Sequence, residues 1–422
     1  MTPGAYIAMV ATLPKKEDAI MTTSNDAAGQ KPDLGAQPPG EANSIQDRLE
    51  FGGLTRRGLI GSGIAGTMLG AAEPVLAARD AGRIAHAIGR VGRVHELPSS
   101  DRTVKVGAMD PHTPVVLEIE SGDIVHYPNT WVNWANEAKY GVPFGEREAI
   151  RKRHPDGPYS LIGPVAVKGA EPGDVIECRM IRLRPIDWGW NSTPLGVGAL
   201  TTDFDTPYLR YVRMDPARRY AQFASGVRIP LAPIQGVMAV QPAGDKPVSA
   251  ILSGSWGGNI SLRNLVEGTS LFLGVEVPGG RLWTGDSHAA AGDGVVDQTA
   301  IETAMEDLRI QYILHKRVAV KMPLAETPNE WIVLAYGETV DDALQNAIRK
   351  MMDWLAPVTG LTRADIYALA SIAGSFRFTQ YANWRHSVYT SSPLKAVHGV
   401  LPKNIFSPAI LARISESVRP KP

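Results

Sequence analysis

Short β-rich segments that turn at a Gly-Asp pair recur along this chain and constrain its fold most strongly. Residues 115–126 contain Gly122-Asp123, and residues 165–177 contain Gly173-Asp174, each between stretches of aliphatic residues. Gly and Asp favour tight turns between strands. The 42 glycines and 32 prolines agree with many short strands joined by such turns. A third pair, Gly285-Asp286, predicts the same kind of turn.

The second half of the chain adds one well-patterned strand and two helices. Residues 269–277 alternate between apolar and other side chains, which predicts a strand. Residues 339–355 repeat apolar side chains at helical spacing, with Thr339 as the N-cap, and a second helix is predicted over residues 362–373. The predicted fold class is α+β and predominantly β, with a layered, sandwich-like core of strands and a C-terminal helical pair.

Charge and cysteine content exclude several kinds of partner and site. The chain has 43 Lys+Arg and 43 Asp+Glu, so its net charge gives no signal for binding nucleic acid or an anionic membrane. The single cysteine, Cys178, excludes an internal disulfide and a thiolate metal cluster. It lies in an alternating segment, residues 175–183, where we expect a buried and inert thiol.

The first 77 residues differ from the rest. Residues 1–50 are polar and rich in Gly, Pro and Ala, which predicts a disordered extension. In residues 51–77, Arg56 and Arg57 precede a weakly apolar run that is too short to span a bilayer. This order resembles a twin-arginine export signal and implies a periplasmic or secreted protein with no membrane segment in its mature form. A cytosolic disordered tail with a chance arginine pair is the alternative.

A long segment without a regular pattern, residues 128–160, separates two predicted strands. It contains Trp131 and Trp134 among amide side chains, followed by a charged stretch. Irregular segments of this length in compact domains are often lids or binding loops. In that case the two tryptophans would line a pocket. Packing against a neighbouring subunit is the alternative.

Residues 283–297 combine carboxylates, one imidazole and several glycines. Asp286 and His288 would point the same way on an extended backbone, and Asp293 could return from the far side of a glycine-rich turn. Together they predict an N/O ligand set for zinc or a similar divalent ion. The structural alternatives are that Asp286 only caps its turn and that His288 is a hydrogen-bonded core histidine. Further candidate ligands, among which the sequence does not choose, are His112, His126, His154 and His398.

Five segments, in order, resemble the acetamidase/formamidase family. They are residues 163–177, 256–261, 285–294, 299–302 and 401–406. The resemblance implies a hydrolase that acts on carbon–nitrogen bonds other than peptide bonds, converting short linear amides to ammonia and a carboxylate. It also implies a mostly β fold and homo-oligomers built on dimers. Residues 78–422 would then form a single catalytic domain of this type.

Amide hydrolysis requires an activated water, a group that polarises the carbonyl, and an acid for the leaving nitrogen. A divalent ion held by Asp286, His288 and Asp293 would supply the first two. We predict His288 and Glu302 as catalytic residues, with Glu302 as the general base. Asn259 is predicted to orient the substrate amide or its oxyanion. The structural alternative for Glu302 is an acid in the first turn of a helix.

The chain departs from the family pattern at several acidic positions. Val295 stands where relatives usually carry Glu, and Ser261 where they usually carry Asp. Relatives also tend to have acids at the positions of Ser375 and Asn383. Valine can neither bind a metal nor carry a proton, although Asp297 is a nearby carboxylate that could compensate. These departures favour an alternative, a non-catalytic family member that binds a small amide-like ligand or serves structurally.

Overall fold

The computed structural model describes residues 92–381 and 387–420. The predicted extension (1–50), the predicted export segment (51–77) and Asn383 lie outside these residues. The described α-helices are α1 (Phe144–Lys152), α2 (Val340–Thr359), α3 (Arg363–Ile372) and α4 (Pro408–Val418). The described strands are β1 (Val94–Glu96), β2 (Val104–Val106), β3 (Ala108–Met109), β4 (Leu117–Ile119), β5 (Ile124–Pro128), β6 (Ser160–Val167), β7 (Val175–Pro185), β8 (Trp188–Thr193), β9 (Tyr208–Met214), β10 (Tyr220–Ala224), β11 (Val227–Pro230), β12 (Ile234–Ala239), β13 (Val248–Ser249), β14 (Ser253–Gly254), β15 (Gly257–Asn259), β16 (Ser270–Gly274), β17 (Leu282–His288), β18 (Met305–His315), β19 (Leu324–Glu326), β20 (Glu330–Gly337), β21 (Ser375–Gln380) and β22 (Lys395–Pro402).

Most strands belong to two large sheets. The nine-stranded sheet has the order β1-β5-β18-β7-β16-β19-β20-β22-β21, and the seven-stranded sheet has the order β14-β15-β12-β17-β6-β2, with β4 paired to β6. Every residue of β6, β12 and β17 is buried, which is typical of strands covered on both faces. The main core contains Met180 of the first sheet and Ile162 of the second. The predicted layered, mostly β fold is therefore confirmed.

Two smaller sheets complete the strands. The four-stranded sheet has the order β11-β10-β9-β8, and the two-stranded sheet pairs β13 with β3. In the four-stranded sheet, β8 pairs with β9 along its whole length. Strand β8 therefore carries Trp190 as a fixed, buried side chain.

Two of the three predicted Gly-Asp turns are confirmed, and the third is wrong. Gly122-Asp123 joins β4 to β5, and Gly173-Asp174 precedes β7. Gly285-Asp286 instead lies inside β17, because β12 and β6 pair with this strand on both sides. Sheet hydrogen bonds from two neighbours thus override a local turn preference.

The two predicted helices are confirmed as α2 and α3. Thr339 caps α2, accepting a hydrogen bond from the backbone N–H of Asp342 in a capping box. Ala343, Ala347 and Met351 of α2 are buried in a second core with residues of β20 and β22. Two further strands and α4 follow the helical pair. No helix among the described residues is long and apolar enough to cross a bilayer.

Cys178 lies in β7 and is fully buried, as predicted. Burial raises the pKa of its thiol far above the ordinary value, with a smaller contribution from the charge of Glu177. Since the thiolate is the reactive form, this cysteine is an inert core residue.

Candidate active site

Asp286 and His288 lie at the C-terminal end of β17, between β12 and β6. Asp286 adopts a left-handed backbone conformation (φ 56°), which Asp tolerates better than most residues. On β12, Gly236 leaves room for both side chains. A Cβ atom there would lie 2.8 Å from His288 Cε1 and closer still to Asp286 Oδ2. The close approach of β12 to these two side chains therefore requires glycine at this position.

Glu302 reaches the same place from the segment between β17 and β18. Its backbone N–H donates to the carbonyl oxygen of Trp190 at 2.8 Å, and the Trp190 N–H donates back to the Glu302 carbonyl oxygen at 2.9 Å. A second isolated bridge joins Glu302 to His288. Strand β8 and strand β17 thus fix Glu302 from two sides, and the helical alternative for this residue is wrong.

The three side chains form one buried cluster. His288 Nε2 lies 3.2 Å from Asp286 Oδ2 and 3.2 Å from Glu302 Oε1. Glu302 also accepts hydrogen bonds from Asn133 Nδ2 at 3.2 Å and from the Ala300 N–H at 3.0 Å. Asp286, His288 and Glu302 are 4%, 2% and 5% exposed, so water screens their charges little. We call them the Asp-His-Glu cluster.

The pKa values of the cluster reflect competition between burial and charge. Burial raises the pKa of Asp286 to about 6, although attraction to His288 opposes the rise. Burial lowers the pKa of His288, but attraction to Glu302 and Asp286 outweighs it and raises that pKa well above the ordinary value. Burial raises the pKa of Glu302, but His288 again outweighs it and leaves the pKa lowered. The protein's own charges therefore favour an imidazolium between the two carboxylates.

The donor atoms of the Asp-His-Glu cluster fit a divalent ion. One imidazole nitrogen and two carboxylate oxygens lie within 4.8 Å of one another. Asp286 Oδ1 and His288 Nδ1 are buried and have no hydrogen-bond partner among the described residues. Three protein ligands is the number found in catalytic zinc sites, which keep a fourth position for water or substrate. Within residues 92–381 and 387–420, no second group of three such ligands is found.

A cavity of about 60 Å³ lies against Glu302. That space corresponds to about four water molecules and suits a short ligand. Its walls include Asn133, Trp134, Arg151, Tyr159, Trp190 and Tyr389. Polar groups and aromatic faces that converge on buried titratable residues are typical of a ligand site.

The irregular segment of residues 128–160 supplies much of this wall, as the binding-loop prediction requires. Trp134 lines the cavity, whereas Trp131 packs against the main core and is not among the residues that line this cavity. Helix α1 supports the wall from behind. Its Arg147 guanidinium lies 5.2 Å from the ring centre of Trp134 and 4.4 Å from that of Trp190. These cation–π contacts hold both tryptophans in place.

Asn259 does not face the cavity as an orienting group. Its Nδ2 donates to the Tyr159 hydroxyl at 3.0 Å and to the Ile251 carbonyl oxygen at 3.3 Å. Its Oδ1 accepts a hydrogen bond from Ser261 Oγ at 3.3 Å. Both amide hydrogens are therefore used inside the protein. Tyr159, to which Asn259 donates, lines the cavity, whereas Asn259 itself does not.

Asp293 does not join the cluster, which corrects the predicted ligand set of Asp286, His288 and Asp293. Asp293 Oδ2 lies 3.5 Å from Arg263 Nη1 and 3.7 Å from Arg377 Nη1, and Oδ1 lies 3.8 Å from His398 Nε2. Two guanidinium groups thus compete for this carboxylate. Glu302 occupies the third ligand position, which was predicted for Asp293.

The remaining candidate ligands also lie elsewhere. Asp297 accepts hydrogen bonds from Thr193 Oγ1 at 3.2 Å and from the Thr299 N–H at 3.1 Å and is not part of the Asp-His-Glu cluster. The four other histidines contact groups outside the cluster. His112 contacts the Asp245 carbonyl, His126 lies between Glu96 and Asp307, His154 lies near Glu137, and His398 bonds Thr379.

Val295 and Ser261, which the resemblance marked as departures from the family pattern, are buried and conformationally unusual. Val295 is 6% exposed and Ser261 is 3% exposed, and both adopt left-handed backbone conformations, with φ of 42° and 39°. This conformation is unfavourable for a β-branched residue such as valine. Ser375 begins β21 and is half-buried.

The sequence did not indicate Tyr159, Trp190 or Tyr389 as part of the site. Tyr159 immediately precedes β6, Trp190 lies in β8, and Tyr389 follows the residues that the structure does not describe. No local motif marks them, because their proximity depends on pairing between strands far apart in sequence. The only available signal was the aromatic and amide content around residues 131–137.

Fold and site together define a class of protein. It is a layered β protein in which a buried Asp-His-Glu cluster reaches, through Glu302, a small cavity with polar and aromatic walls. Buried groups with mutually shifted pKa values beside a cavity are characteristic of enzyme sites.

Comparison with known proteins identifies the family. Residues 108–250 and 246–407 match the Acetamidase/Formamidase family. An acetamidase of Bacillus halodurans is 25% identical and superposes with a TM-score of 0.66 over 74% of this chain and 98% of that chain. An acetamidase of Yersinia enterocolitica has the same fold, with 24% identity and a TM-score of 0.66 over 76% and 94% of the two chains. A putative formamidase of Schizosaccharomyces pombe is 24% identical over 191 residues, which are 32% of this chain and 47% of that protein. The chain belongs to the acetamidase/formamidase family.

Proposed function

We propose that this protein hydrolyses carbon–nitrogen bonds other than peptide bonds in short linear amides, releasing ammonia and a carboxylate. The observation that carries the proposal is the buried Asp-His-Glu cluster beside the cavity, in a chain of this family. Identity of 25% to an acetamidase along 98% of its length supports the same reaction class. The cavity of about 60 Å³ favours amides with few heavy atoms.

The proposal includes a divalent ion, zinc or a similar ion, held by Asp286, His288 and Glu302. Such an ion lowers the pKa of a bound water and polarises a carbonyl oxygen. The chain's own residues have separate tasks. Asn133 holds the Glu302 carboxylate through its hydrogen bond of 3.2 Å. Trp134 and Trp190 exclude bulk water from the cavity.

We expect the purified full-length chain to contain about one divalent ion per chain and to release ammonia from at least one amide in a panel from formamide to butyramide. Metal analysis and an ammonia assay, each with and without a chelator, test this. Activity should disappear on chelation and return with added Zn²⁺. Ammonia release that a chelator does not affect would contradict the role of the ion but not the proposed hydrolysis. No ammonia release from any amide would contradict the hydrolysis itself.

A non-catalytic member that binds an amide-like ligand is the second candidate. Val295 favours it, because a buried valine stands where relatives usually carry an acid. Under this alternative, titration calorimetry would detect acetamide binding while the ammonia assay detects no release.

We further propose that the protein is exported to the periplasm as a folded homo-oligomer built on dimers. Arg56 and Arg57 before a weakly apolar run support the export, and family membership supports the oligomer. Replacing both arginines with lysine should keep the chain in the cytoplasm, as followed by cell fractionation. Unchanged export of the Arg56→Lys/Arg57→Lys chain would contradict the proposal.

A further inference from the structure

We propose that Tyr159 is a catalytic residue that donates its phenolic hydrogen to the carbonyl oxygen of the amide. This inference rests on the proposed hydrolysis of amides. It replaces the role that the sequence suggested for Asn259 and gives Asn259 a positioning role instead.

Tyr159 is placed for this contact. It lines the same cavity as Glu302 and Asn133 and is only 6% exposed. Its ring belongs to a buried cluster with Leu161 and Trp283, so the fold fixes its position. A donor fixed in advance beside the Asp-His-Glu cluster costs no reorganisation when charge develops on a substrate.

The hydrogen bonds of Tyr159 leave its proton for a ligand. A phenol has one hydrogen to donate, and its oxygen also accepts. The Tyr159 oxygen accepts a hydrogen bond of 3.0 Å from Asn259 Nδ2. No described residue accepts the Tyr159 proton in return. The accepted bond therefore fixes the oxygen while the O–H group stays available to the cavity.

Asn259 is itself held at three points, which suits a positioning residue. Its Nδ2 bonds Tyr159 and the Ile251 carbonyl oxygen, and its Oδ1 accepts from Ser261. This residue is fully buried in β15. The Ser261 hydroxyl thus orients Asn259 toward the tyrosine.

The chemistry balances without loss of the Tyr159 proton. Attack of water oxygen on the amide carbon forms the C–O bond and moves the π electrons to the carbonyl oxygen, which accepts the Tyr159 hydrogen bond. When the C=O bond reforms, the C–N bond breaks and nitrogen leaves as ammonia with a proton from the water. Burial, with the charges of Asp286 and Glu302, raises the pKa of Tyr159 well above its ordinary value. The phenol therefore stays a donor throughout the neutral pH range.

Tyr159→Phe tests the donor directly, because it removes only the hydroxyl. We expect kcat for the best amide of the panel to fall about 10²–10³-fold, with a smaller change in KM. Tyr127→Phe is the matched control. It also removes a buried tyrosine hydroxyl, the one that bonds Tyr312 at 2.7 Å, but Tyr127 does not line the cavity. A kcat for Tyr159→Phe within threefold of wild type would overturn the inference while leaving the hydrolase in place.

Asn259→Asp tests the positioning role with an isosteric side chain. A carboxylate at this position would accept the Tyr159 proton and withdraw it from the substrate. We expect a kcat loss close to that of Tyr159→Phe, and no further loss when the two changes are combined. Losses that multiply in the double variant would overturn the positioning role, since residues that act through one another are not additive.

A binding measurement tests the role of Tyr159 even if the protein does not hydrolyse amides. If the wild type releases no ammonia, titration calorimetry with acetamide measures the same hydrogen bond in the ground state. Tyr159→Phe should then weaken binding about tenfold. An equal Kd in wild type and variant, or no binding to either, would overturn the role of Tyr159 as well.

Discussion

Replacing His288 with alanine is expected to lower ammonia release by about 10²–10⁴-fold, the range for a residue that moves protons or holds the catalytic ion. Its imidazole nitrogen Nε2 lies 3.2 Å from a carboxylate oxygen of each of the other two members of the Asp-His-Glu cluster. Without it, two buried carboxylates lose their shared positive partner. The pKa of Glu302, which His288 holds low, should rise because burial then dominates.

Asp293→Asn is the matched control for the His288 variant. Asp293 lies in the same glycine-rich segment but contacts Arg263 and Arg377 instead of the Asp-His-Glu cluster. We expect it to keep both bound metal and most of the activity. Metal analysis of both variants distinguishes the ligand sets, and thermal unfolding checks that His288→Ala is folded, with His288→Asn as a polar replacement. Metal loss in Asp293→Asn as well as in His288→Ala would restore the ligand set predicted from sequence, which contains both residues.

Local patterns were sufficient for the helices and for much of the strand content. The apolar spacing of Ala343, Ala347 and Met351 predicted α2, and Thr339 supplied its start, because capping and amphipathicity are properties of neighbouring residues. The alternation in residues 269–277 predicted β16 for the same reason. Family resemblance added Glu302, which no local pattern distinguishes from a helix acid.

The remainder of the site depends on contacts that a single sequence does not encode locally. Asp286 lies in a strand and not in a turn because β12 and β6 flank β17, with Gly236 giving its side chain room. Glu302 reaches His288 only because β8 pairs with the segment before β18 through Trp190. Asp293 is close in sequence to His288, yet arginines from two other segments bind it. Sequence proximity therefore selected the wrong third carboxylate.

The second prediction with a large expected effect concerns the stability of the protein at a buried carboxylate away from the cavity. Glu177 in β7 is fully buried and accepts hydrogen bonds from Arg179 Nε at 2.8 Å and from Ser270 Oγ at 2.8 Å. His315 Nε2 lies 2.9 Å from its Oε2. Arg419, just after α4, contacts both carboxylate oxygens, at 2.8 and 3.0 Å. One carboxylate thus joins the nine-stranded sheet to the C-terminal end of the described chain.

Glu177→Gln keeps the shape of the side chain and removes its charge, so it should lower the free energy of unfolding by about 3–5 kcal/mol at pH 7. The loss is large because the Arg419 guanidinium stays mostly buried with one partner fewer. Glu118→Gln is the matched control. That residue lies 3.8 Å from Lys168 in an exposed pair, and its loss should cost less than about 1 kcal/mol. Urea unfolding of both variants gives the comparison.

The difference in unfolding free energy between wild type and Glu177→Gln should depend on pH if the charge of Glu177 is its cause. Burial raises the pKa of Glu177, but hydrogen bonds from His315 and Arg419 outweigh it and hold the pKa well below 4.5. A carboxylate whose pKa is lower in the folded state stabilises the protein fully above its unfolded pKa, and this contribution is lost as pH falls through the folded value. The gap in unfolding free energy between wild type and Glu177→Gln should therefore be widest near neutral pH and should narrow below pH 4.5. If the difference in unfolding free energy between the two proteins does not change as the pH is lowered, packing and not the charge of Glu177 stabilises the contact between β7 and Arg419.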